Sequence, residues 1–280
     1  MPRLCLMQVH AHPDDEASKG AATAARYAAE GVRTVLVTCT GGEAGEILNP
    51  AADTPEARAD LPAVRRAELD ESAAILGYAA VRLLGYRDSG MPGTEANAHP
   101  AAFANAPLEE AVGRLVEVVR AERPHVILCY SDDQSRYPHP DHLRAHDVAV
   151  AAFDAAADAA RFPGEPWQPL KLYYMGRALR VMQAYHEAIL AGGEPSPLEP
   201  FLGGVGDDDR FTTAVDVAEH MAARDRALLA HRTQVAPDSA WFALPLEERI
   251  RIAPTEQFIR ARSLVEVPGG IERDLFTGIR

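Results

Sequence analysis

The first part of the chain alternates short apolar runs with longer segments of helical periodicity. Four apolar runs predict strands: Leu4–Val9, Thr34–Thr40, Val81–Leu84 and Val126–Tyr130. Four longer segments predict helices: Asp15–Glu30, Leu61–Leu76, Leu108–Ala121 and His142–Ala160. Because the apolar runs are continuous, they are typical of strands that are buried on both faces of a sheet. The pattern therefore predicts an α/β fold with a Rossmann-like, doubly wound and mostly parallel sheet.

The second part of the chain is less regular. It contains two predicted strands and two predicted helices: Leu170–Tyr174, Phe211–Val217, Arg177–Ala191 and Ala218–Ala230. Residues 191–209 are rich in Gly, Pro and Asp and predict a long loop. Whether residues 192–209 of this loop act as a lid is left open. We therefore divide the chain into a core, residues 1–160, and a smaller C-terminal region, residues 161–280, which completes the fold and caps the functional site.

Composition narrows the class of protein. The chain has 280 residues, of which 47% are hydrophobic and 25% charged, and its formal net charge is −13. A net negative charge of this size argues against binding to nucleic acid or to an anionic membrane. We find no secretory signal, no run of membrane-spanning length and an odd number of cysteines within predicted strands, so we expect a cytoplasmic protein. No GxGxxG follows the first strand, which weakens a dinucleotide-binding interpretation.

A histidine and two carboxylates follow the first predicted strand, in the sequence Ala11-His12-Pro13-Asp14-Asp15-Glu16. Open α/β sheets build their sites at the carboxyl ends of strands, which is where this segment lies. A simpler interpretation is that Asp14 or Asp15 caps a helix and that His12 is incidental. For this segment alone, the simpler interpretation is the better one.

A second cluster, Tyr137-Pro138-His139-Pro140-Asp141-His142, changes that balance. Two imidazoles and one carboxylate, from His12, His142 and Asp15, suit a catalytic zinc site with open positions. Asp14 then fits the general base that accepts a proton from water. The simpler alternative here is a polar helix start with histidines facing solvent. His146, one helical turn beyond, is interpreted as a supporting or surface residue rather than a ligand.

These paired motifs give the chain a clear resemblance to the PIG-L/LmbE-like zinc-dependent deacetylases. Within that family it is most similar to the mycothiol enzymes, namely mycothiol S-conjugate amidase and the deacetylase of N-acetylglucosaminyl inositol. The resemblance covers most of the chain. Other matching stretches are Thr40-Gly41-Gly42-Glu43-Ala44-Gly45-Glu46, Asp88-Ser89-Gly90, Lys171-Leu172-Tyr173-Tyr174 and His231-Arg232-Thr233-Gln234.

The resemblance implies roles for the residues of both motifs. The implied zinc ligands are His12, Asp15 and His142, and ferrous iron would also suit these ligands. Asp14 is the implied general base. His139 is implied to stabilise the oxyanion or to protonate the leaving amine, with Asp141 fixing its ring. Tyr137 is implied to donate a hydrogen bond to the tetrahedral oxyanion.

Three further residues are implied to bind substrate. Arg65 and Asp88 resemble a sugar-binding pair, because a fork of donors and a carboxylate acceptor suit the hydroxyls of glucosamine and inositol. The adjacent Arg66 leaves the choice of arginine open. The simpler alternative for Arg65 is a position on a solvated helix face, and for Asp88 it is a turn residue before Ser89-Gly90. Lys19 resembles the lysine that faces the cysteinyl part of mycothiol in the amidase.

The resemblance therefore implies a zinc-dependent amidohydrolase that cleaves mycothiol S-conjugates to glucosaminyl-inositol and a mercapturic acid. The first alternative is a deacetylase of N-acetylglucosaminyl inositol or of a related N-acyl sugar in a biosynthetic pathway. The second, from another class, is a non-catalytic sugar- or thiol-binding protein. The expected partner is a small molecule of the glucosaminyl-inositol type, without nucleic acid or membrane; a homo-oligomer is left open.

Overall fold

A single mixed sheet forms the centre of the molecule in the computed structural model, which describes residues 3–203 and 208–280. Its strands are β1 (Cys5–His10), β2 (Arg33–Thr40), β3 (Ala80–Tyr86), β4 (Val126–Tyr130), β5 (Lys171–Gly176), β6 (Thr213–Asp216) and β7 (Thr255–Ser263). Their order across the sheet is β3-β2-β1-β4-β5-β7-β6. The five strands from β3 to β5 are parallel, and β7 runs antiparallel to both of its neighbours. The predicted mostly parallel α/β fold is confirmed.

Helices cover both faces of this sheet. Those of the described residues are α1 (Asp15–Ser18), α2 (Ala21–Ala29), α3 (Pro55–Ala59), α4 (Leu61–Leu76), α5 (Glu95–Ala98), α6 (Leu108–Glu122), α7 (Pro140–Ala155), α8 (Leu179–Ala191), α9 (Met221–Ala230) and α10 (Leu246–Ile252). Successive residues of β1 point to opposite faces. Met7 packs with α6 and α7, whereas Leu6 packs in the cluster that includes α2. Burial on both faces explains why the strand sequences are continuously apolar.

The predicted helix Asp15–Glu30 is wrong in one respect, because it is two helices. The chain breaks at Gly20, whose φ of +71° lies in the left-handed region. The break brings the backbone close to β1, where Gln8 Nε2 donates to Gly20 O at 3.0 Å. A Cβ at this position would lie 3.2 Å from Gln8 Oε1, so a side chain would be crowded there. The break leaves α1 as a separate turn that carries Asp15.

The predicted helix His142–Ala160 is also too long, since α7 ends at Ala155. Alanine favours helix, but a buried arginine from α6 stops it. Arg120 Nε donates to Ala156 O at 3.0 Å, and Arg120 Nη2 donates to Asp158 O at 2.6 Å. These carbonyls therefore bind a side chain instead of continuing the helical hydrogen bonds.

Two elements of the C-terminal part, α10 and β7, are absent from the sequence prediction. β7 mixes polar and charged residues with a few apolar ones, and it gains its stability by pairing with β5 and β6. Both of these partners come from residues 161–280 and lie in the same sheet as β1 to β4. The division at residue 160 stays a prediction. The loop 192–209, whose action as a lid was left open, includes residues 204–207, which lie outside the described residues.

Two expectations from composition concern the cysteines and membrane spans. The cysteines were expected to be reduced, and Cys5, Cys39 and Cys129 are buried free thiols. None of the helices in residues 3–203 and 208–280 combines the length and apolar character that crossing a membrane requires.

Candidate active site

Two chain segments meet at the carboxyl edge of the parallel strands. The first follows β1, which ends at His10. The second follows β4 and leads into α7, where Pro140 is the first helical residue and His139 is the N-cap. Proline suits the first turn of a helix because its missing N–H would have no partner there. His139 Nδ1 accepts a hydrogen bond from the backbone N–H of Asp141 at 3.2 Å, which fixes the orientation of its ring.

The three predicted metal ligands lie in contact. His12 Nδ1 is 3.3 Å from Asp15 Oδ2, and the same oxygen is 3.4 Å from His142 Nε2. The ring of His139 stands 4.6 Å from that of His12, measured between centroids. All four side chains are buried. The fold thus gathers imidazole and carboxylate groups that are far apart in sequence.

Two further carboxylates contact His12. Its Nε2 atom lies 3.1 Å from Asp141 Oδ2 and 3.6 Å from Asp88 Oδ1. Within the described residues, two groups have candidate ligand atoms within 4.8 Å of one another: His12, His139 and His142, and His12, Asp88 and Asp141. Imidazole nitrogens and carboxylate oxygens suit zinc or ferrous iron. The donor set therefore fits a metal ion, and Asp88, interpreted from sequence as a sugar ligand, lies within it.

Electrostatics favour a cation in this cluster. Burial alone would raise the pKa of Asp15, but the charges of Lys19 and His142 hold it well below its ordinary value. Burial likewise opposes the charged form of His12, but hydrogen bonds to Asp141 and Asp15 raise its pKa well above the usual range. Asp15 therefore stays ionised, which is the state that a metal ligand needs, whereas His12 has to release a proton when a metal ion takes its place.

Asp14 has a strained backbone and a carboxylate that solvent can reach. Its φ of 109° lies in a region that residues other than glycine rarely adopt. Its side chain is 29% exposed, and Oδ2 accepts a hydrogen bond from Arg65 Nη2 at 2.9 Å. Burial raises the pKa of Asp14, with Arg65 opposing the shift and Asp15 adding to it. A carboxylate of this kind can accept a proton from water.

Arg65 of α4 holds the turn that carries Asp14. It is 3% exposed and donates from Nη2 to Pro13 O at 2.5 Å and from Nη1 to Gly42 O at 2.7 Å. A Cβ at Gly42 would lie 2.1 Å from Arg65 Nη1, so the guanidinium needs a glycine there. Arg66 is exposed and pairs with a carboxylate on its own helix. The structure therefore places Arg65, and not Arg66, at the site.

Lys19 and Tyr137 border the cluster on its more exposed side. Lys19 Nζ donates to Asp15 Oδ1 at 2.6 Å, although the lysine side chain is 35% exposed. Tyr137 is 49% exposed, and its ring centroid lies 5.6 Å from that of His142. Both side chains thus lie between the buried candidate metal ligands and solvent.

Asp141 contacts His139 in a different way from the one the sequence implied. Its backbone N–H, rather than its carboxylate, meets the His139 ring. The Asp141 carboxylate contacts His12 instead. It also accepts two hydrogen bonds from Ser89, one from the backbone N–H at 2.9 Å and one from the hydroxyl. Ser89 directly follows Asp88, but no feature of the sequence indicated that it supports the Asp141 carboxylate at the start of α7.

Tyr130 is a site residue that the sequence analysis missed. Its hydroxyl donates to Asp15 Oδ2 at 2.6 Å and accepts from the backbone N–H of Ala11 at 2.8 Å. Burial, reinforced by the charge of Asp15, raises the pKa of this phenol well above its ordinary value, so it stays a donor. The sequence did contain one indication of this role: Tyr130 is the last residue of β4, and the carboxyl ends of parallel strands carry functional groups.

Replacing Tyr130 with phenylalanine is expected to weaken metal binding by ~10–100-fold, because Asp15 loses the donor that orients it. A titration against a competing chelator measures this affinity. Tyr174→Phe is the matched control, because Tyr174 is also a buried strand tyrosine but contacts the ring of His146, at 5.0 Å between centroids, instead of Asp15. Equal metal affinity of the Tyr130→Phe variant and the control would contradict the supporting role of Tyr130.

Comparison with known proteins gives consistent matches. Residues 7–153 match the family model described as PIG-L: GlcNAc-PI de-N-acetylase. The chain is 44% identical to a mycothiol S-conjugate amidase of Streptomyces coelicolor, over 99% of this chain and 98% of that protein. It is 42% identical to a 1D-myo-inositol 2-acetamido-2-deoxy-alpha-D-glucopyranoside deacetylase of Geodermatophilus obscurus, over 99% of each chain.

Solved structures support the same fold. The conserved protein TT1542 of Thermus thermophilus superposes with a TM-score of 0.63 at 24% identity, over 95% of this chain and 98% of that one. Since the relatives are named as an amidase and a deacetylase, the alternative of a non-catalytic binding protein loses its support. The family model spans more than half of the chain, and the relatives align along nearly all of it. The chain belongs to the PIG-L family of deacetylases and amidases, and it is a hydrolase of amide bonds.

Proposed function

We propose that this enzyme is a zinc-dependent amidase that cleaves mycothiol S-conjugates to glucosaminyl-inositol and a mercapturic acid. The observation that carries the proposal is the buried cluster around His12, with Asp14 beside it and Lys19 at its exposed side. The similarity to the Streptomyces coelicolor amidase along nearly the whole chain supports an amidase of this type, and Lys19 at the site is the reason for choosing the S-conjugate as substrate.

The proposed reaction assigns each residue a separate task. His12, Asp15 and His142 would hold the zinc ion, which when bound would act as a Lewis acid toward the amide carbonyl. Asp14 accepts the proton of the attacking water, and it is the partly exposed carboxylate beside the buried cluster. The proton leaves with the amine, so the amide C–N bond breaks and a carboxylic acid and a primary amine form.

His139 and Tyr137 act on the substrate oxygen and the leaving group. The Tyr137 hydroxyl donates to the developing oxyanion from the exposed side of the site. His139, held by the backbone of Asp141, stabilises the same oxyanion or protonates the leaving amine. Arg65 and Asp88 are proposed to contact hydroxyls of the glucosaminyl-inositol group as well, Arg65 in addition to holding Asp14 and Asp88 in addition to its place beside His12.

A deacetylase of N-acetylglucosaminyl inositol is the second candidate. The relative from Geodermatophilus obscurus is named as such a deacetylase. This chain is 42% identical to it and 44% identical to the amidase. Overall identity therefore does not choose between them. Both reactions release the same glucosaminyl-inositol amine, and they differ in the acyl group that the enzyme must accept.

The test is turnover of two substrates side by side by the zinc-reconstituted enzyme, with amine release as the readout. The substrates are a mycothiol bimane conjugate and N-acetylglucosaminyl inositol. Faster cleavage of the conjugate is the expected result. Faster deacetylation would assign the second candidate, and cleavage of neither substrate by the metal-loaded protein would refute both.

Lys19 is the residue we expect to govern this choice. Lys19→Ala should lower turnover of the conjugate relative to the acetyl substrate by ~10-fold, because a charged hydrogen bond to the acyl group is lost. Lys19→Arg, which keeps the charge, is the matched control. Because Lys19 also contacts Asp15, the metal content of each variant is measured in parallel. An unchanged substrate ratio with full metal content would count against this role.

A further inference from the structure

We propose that His231 and Glu16 are positioning residues that hold the backbone of Asp14 in its catalytic conformation. The inference rests on the proposed role of Asp14 as the general base. It gives a function to His231, a buried histidine from the C-terminal part of the chain. No other candidate ligand or catalytic residue lies near His231 in the sequence. Neither His231 nor Glu16 is proposed to touch substrate.

Glu16 lies at the centre of a buried set of hydrogen bonds. Its side chain is fully buried, and Oε2 accepts from the backbone N–H of Asp14 at 2.9 Å. Its other oxygen, Oε1, lies 2.5 Å from both Ser72 Oγ and His231 Nε2. A buried carboxylate is stable only when charges and donors compensate it. His231 and Ser72 supply that compensation, and this fixes where Oε2 lies.

The contact to Asp14 matters because that residue is strained. Among the described residues other than glycine, only Asp14 and Arg123 have a positive φ. Strained backbone persists only where the surroundings over-determine it. Glu16 holds the N–H of Asp14, while Arg65 holds the carbonyl of Pro13 and the Asp14 carboxylate. The general base is therefore clamped from two sides by buried charged groups.

The position of His231 is itself well defined. It follows α9, is fully buried, and its Nδ1 atom has no hydrogen-bond partner among the described residues. The Nε2 contact with Glu16 is thus the polar interaction that orients the ring. Two residues on, Thr233 donates to Glu68 of α4 from its N–H at 2.8 Å and from its hydroxyl at 2.7 Å. These bonds fix the turn that carries His231.

A purely structural role would make the His231–Glu16 pair a tie between α9 and α1, with no special effect on Asp14. Two substitutions separate these roles. His231→Leu removes the donor to Glu16, whereas His231→Gln keeps an N–H donor of similar reach. Thr233→Val is the matched control, because it removes a buried hydrogen bond of the same turn that does not involve Glu16.

The experiment measures kcat, KM, metal content and thermal unfolding of the zinc-reconstituted variants. We expect His231→Leu to lower kcat by ~10–100-fold with little change in KM and full metal content, since a small misplacement of a catalytic group is enough. His231→Gln should recover most of kcat. Thr233→Val should lower the unfolding temperature and keep kcat. A His231→Leu variant with unchanged kcat, or a Thr233→Val variant with an equal loss, would overturn the proposal.

A second readout does not depend on the substrate. The Asp14 amide should exchange its hydrogen ~10-fold faster in His231→Leu than in the wild type, because Glu16 no longer holds it. If His231→Leu does not fold, Ser72→Ala, which removes the other donor to Glu16, takes its place in both measurements. Unchanged exchange overturns the inference. If the wild-type enzyme cleaves neither substrate, the proposed function is refuted. The exchange measurement still decides whether His231 and Glu16 hold the Asp14 backbone.

Discussion

Asp14→Asn is expected to lower kcat by ~10²–10⁴-fold while the protein keeps its metal. Asparagine retains the shape of the side chain and tolerates a positive φ, so the turn should survive. It cannot accept a proton from water, and the loss should therefore appear in kcat. The measurement combines steady-state kinetics with metal analysis of the purified variant.

Asp70→Asn serves as the control for this substitution. Asp70 lies on α4, is exposed and pairs with Arg66, away from the buried cluster. Its variant should keep full turnover. A near-normal rate for Asp14→Asn would show that another group accepts the proton, and loss of metal from it would show that Asp14 belongs to the ligand set.

His142→Gln is expected to abolish both metal retention and turnover, because the ring of His142 contacts Asp15 inside the buried cluster. An amide side chain is a much poorer ligand than imidazole for zinc. Metal stoichiometry after dialysis against a weak chelator, followed by assay with added zinc, measures both effects.

His146→Gln is the matched control, since His146 lies on the same helix, four residues later. Its Nδ1 atom is 2.9 Å from Tyr130 O, and the sequence interpretation gave it a supporting role. We expect this variant to retain the metal. Metal loss from both variants would mean that the ligand set is wider than proposed, and retention by His142→Gln would exclude His142 as a ligand.

Local sequence patterns predicted much of the core. The helix Leu61–Leu76 and the strand Val126–Tyr130 have the predicted bounds, since helical periodicity ending at Gly77 marks the first and a short continuous apolar run marks the second. The helix after His139 was overextended for a tertiary reason. Alanine propensity carried the prediction to Ala160, but Arg120 from another helix binds the carbonyls there.

Elements without a local signal were missed. β7 has charged residues such as Arg260 within it, and a strand of this kind forms only beside partners that bury its other positions. The contacts of Tyr130 and Ser89 with the carboxylates of the site were missed for a similar reason. Each joins residues more than fifty positions apart, and no spacing rule covers such pairs.

The sequence by itself determined the fold class, the family and the two motifs that supply the histidines and carboxylates, because these depend on periodicity and on residue types at short spacing. The tertiary structure decided which atoms meet. It chose Arg65 over Arg66, set Asp88 within 3.6 Å of His12, and brought His231 to Glu16 across 215 positions. Such contacts depend on how helices pack on the sheet, which the burial of whole faces determines and which no local pattern contains.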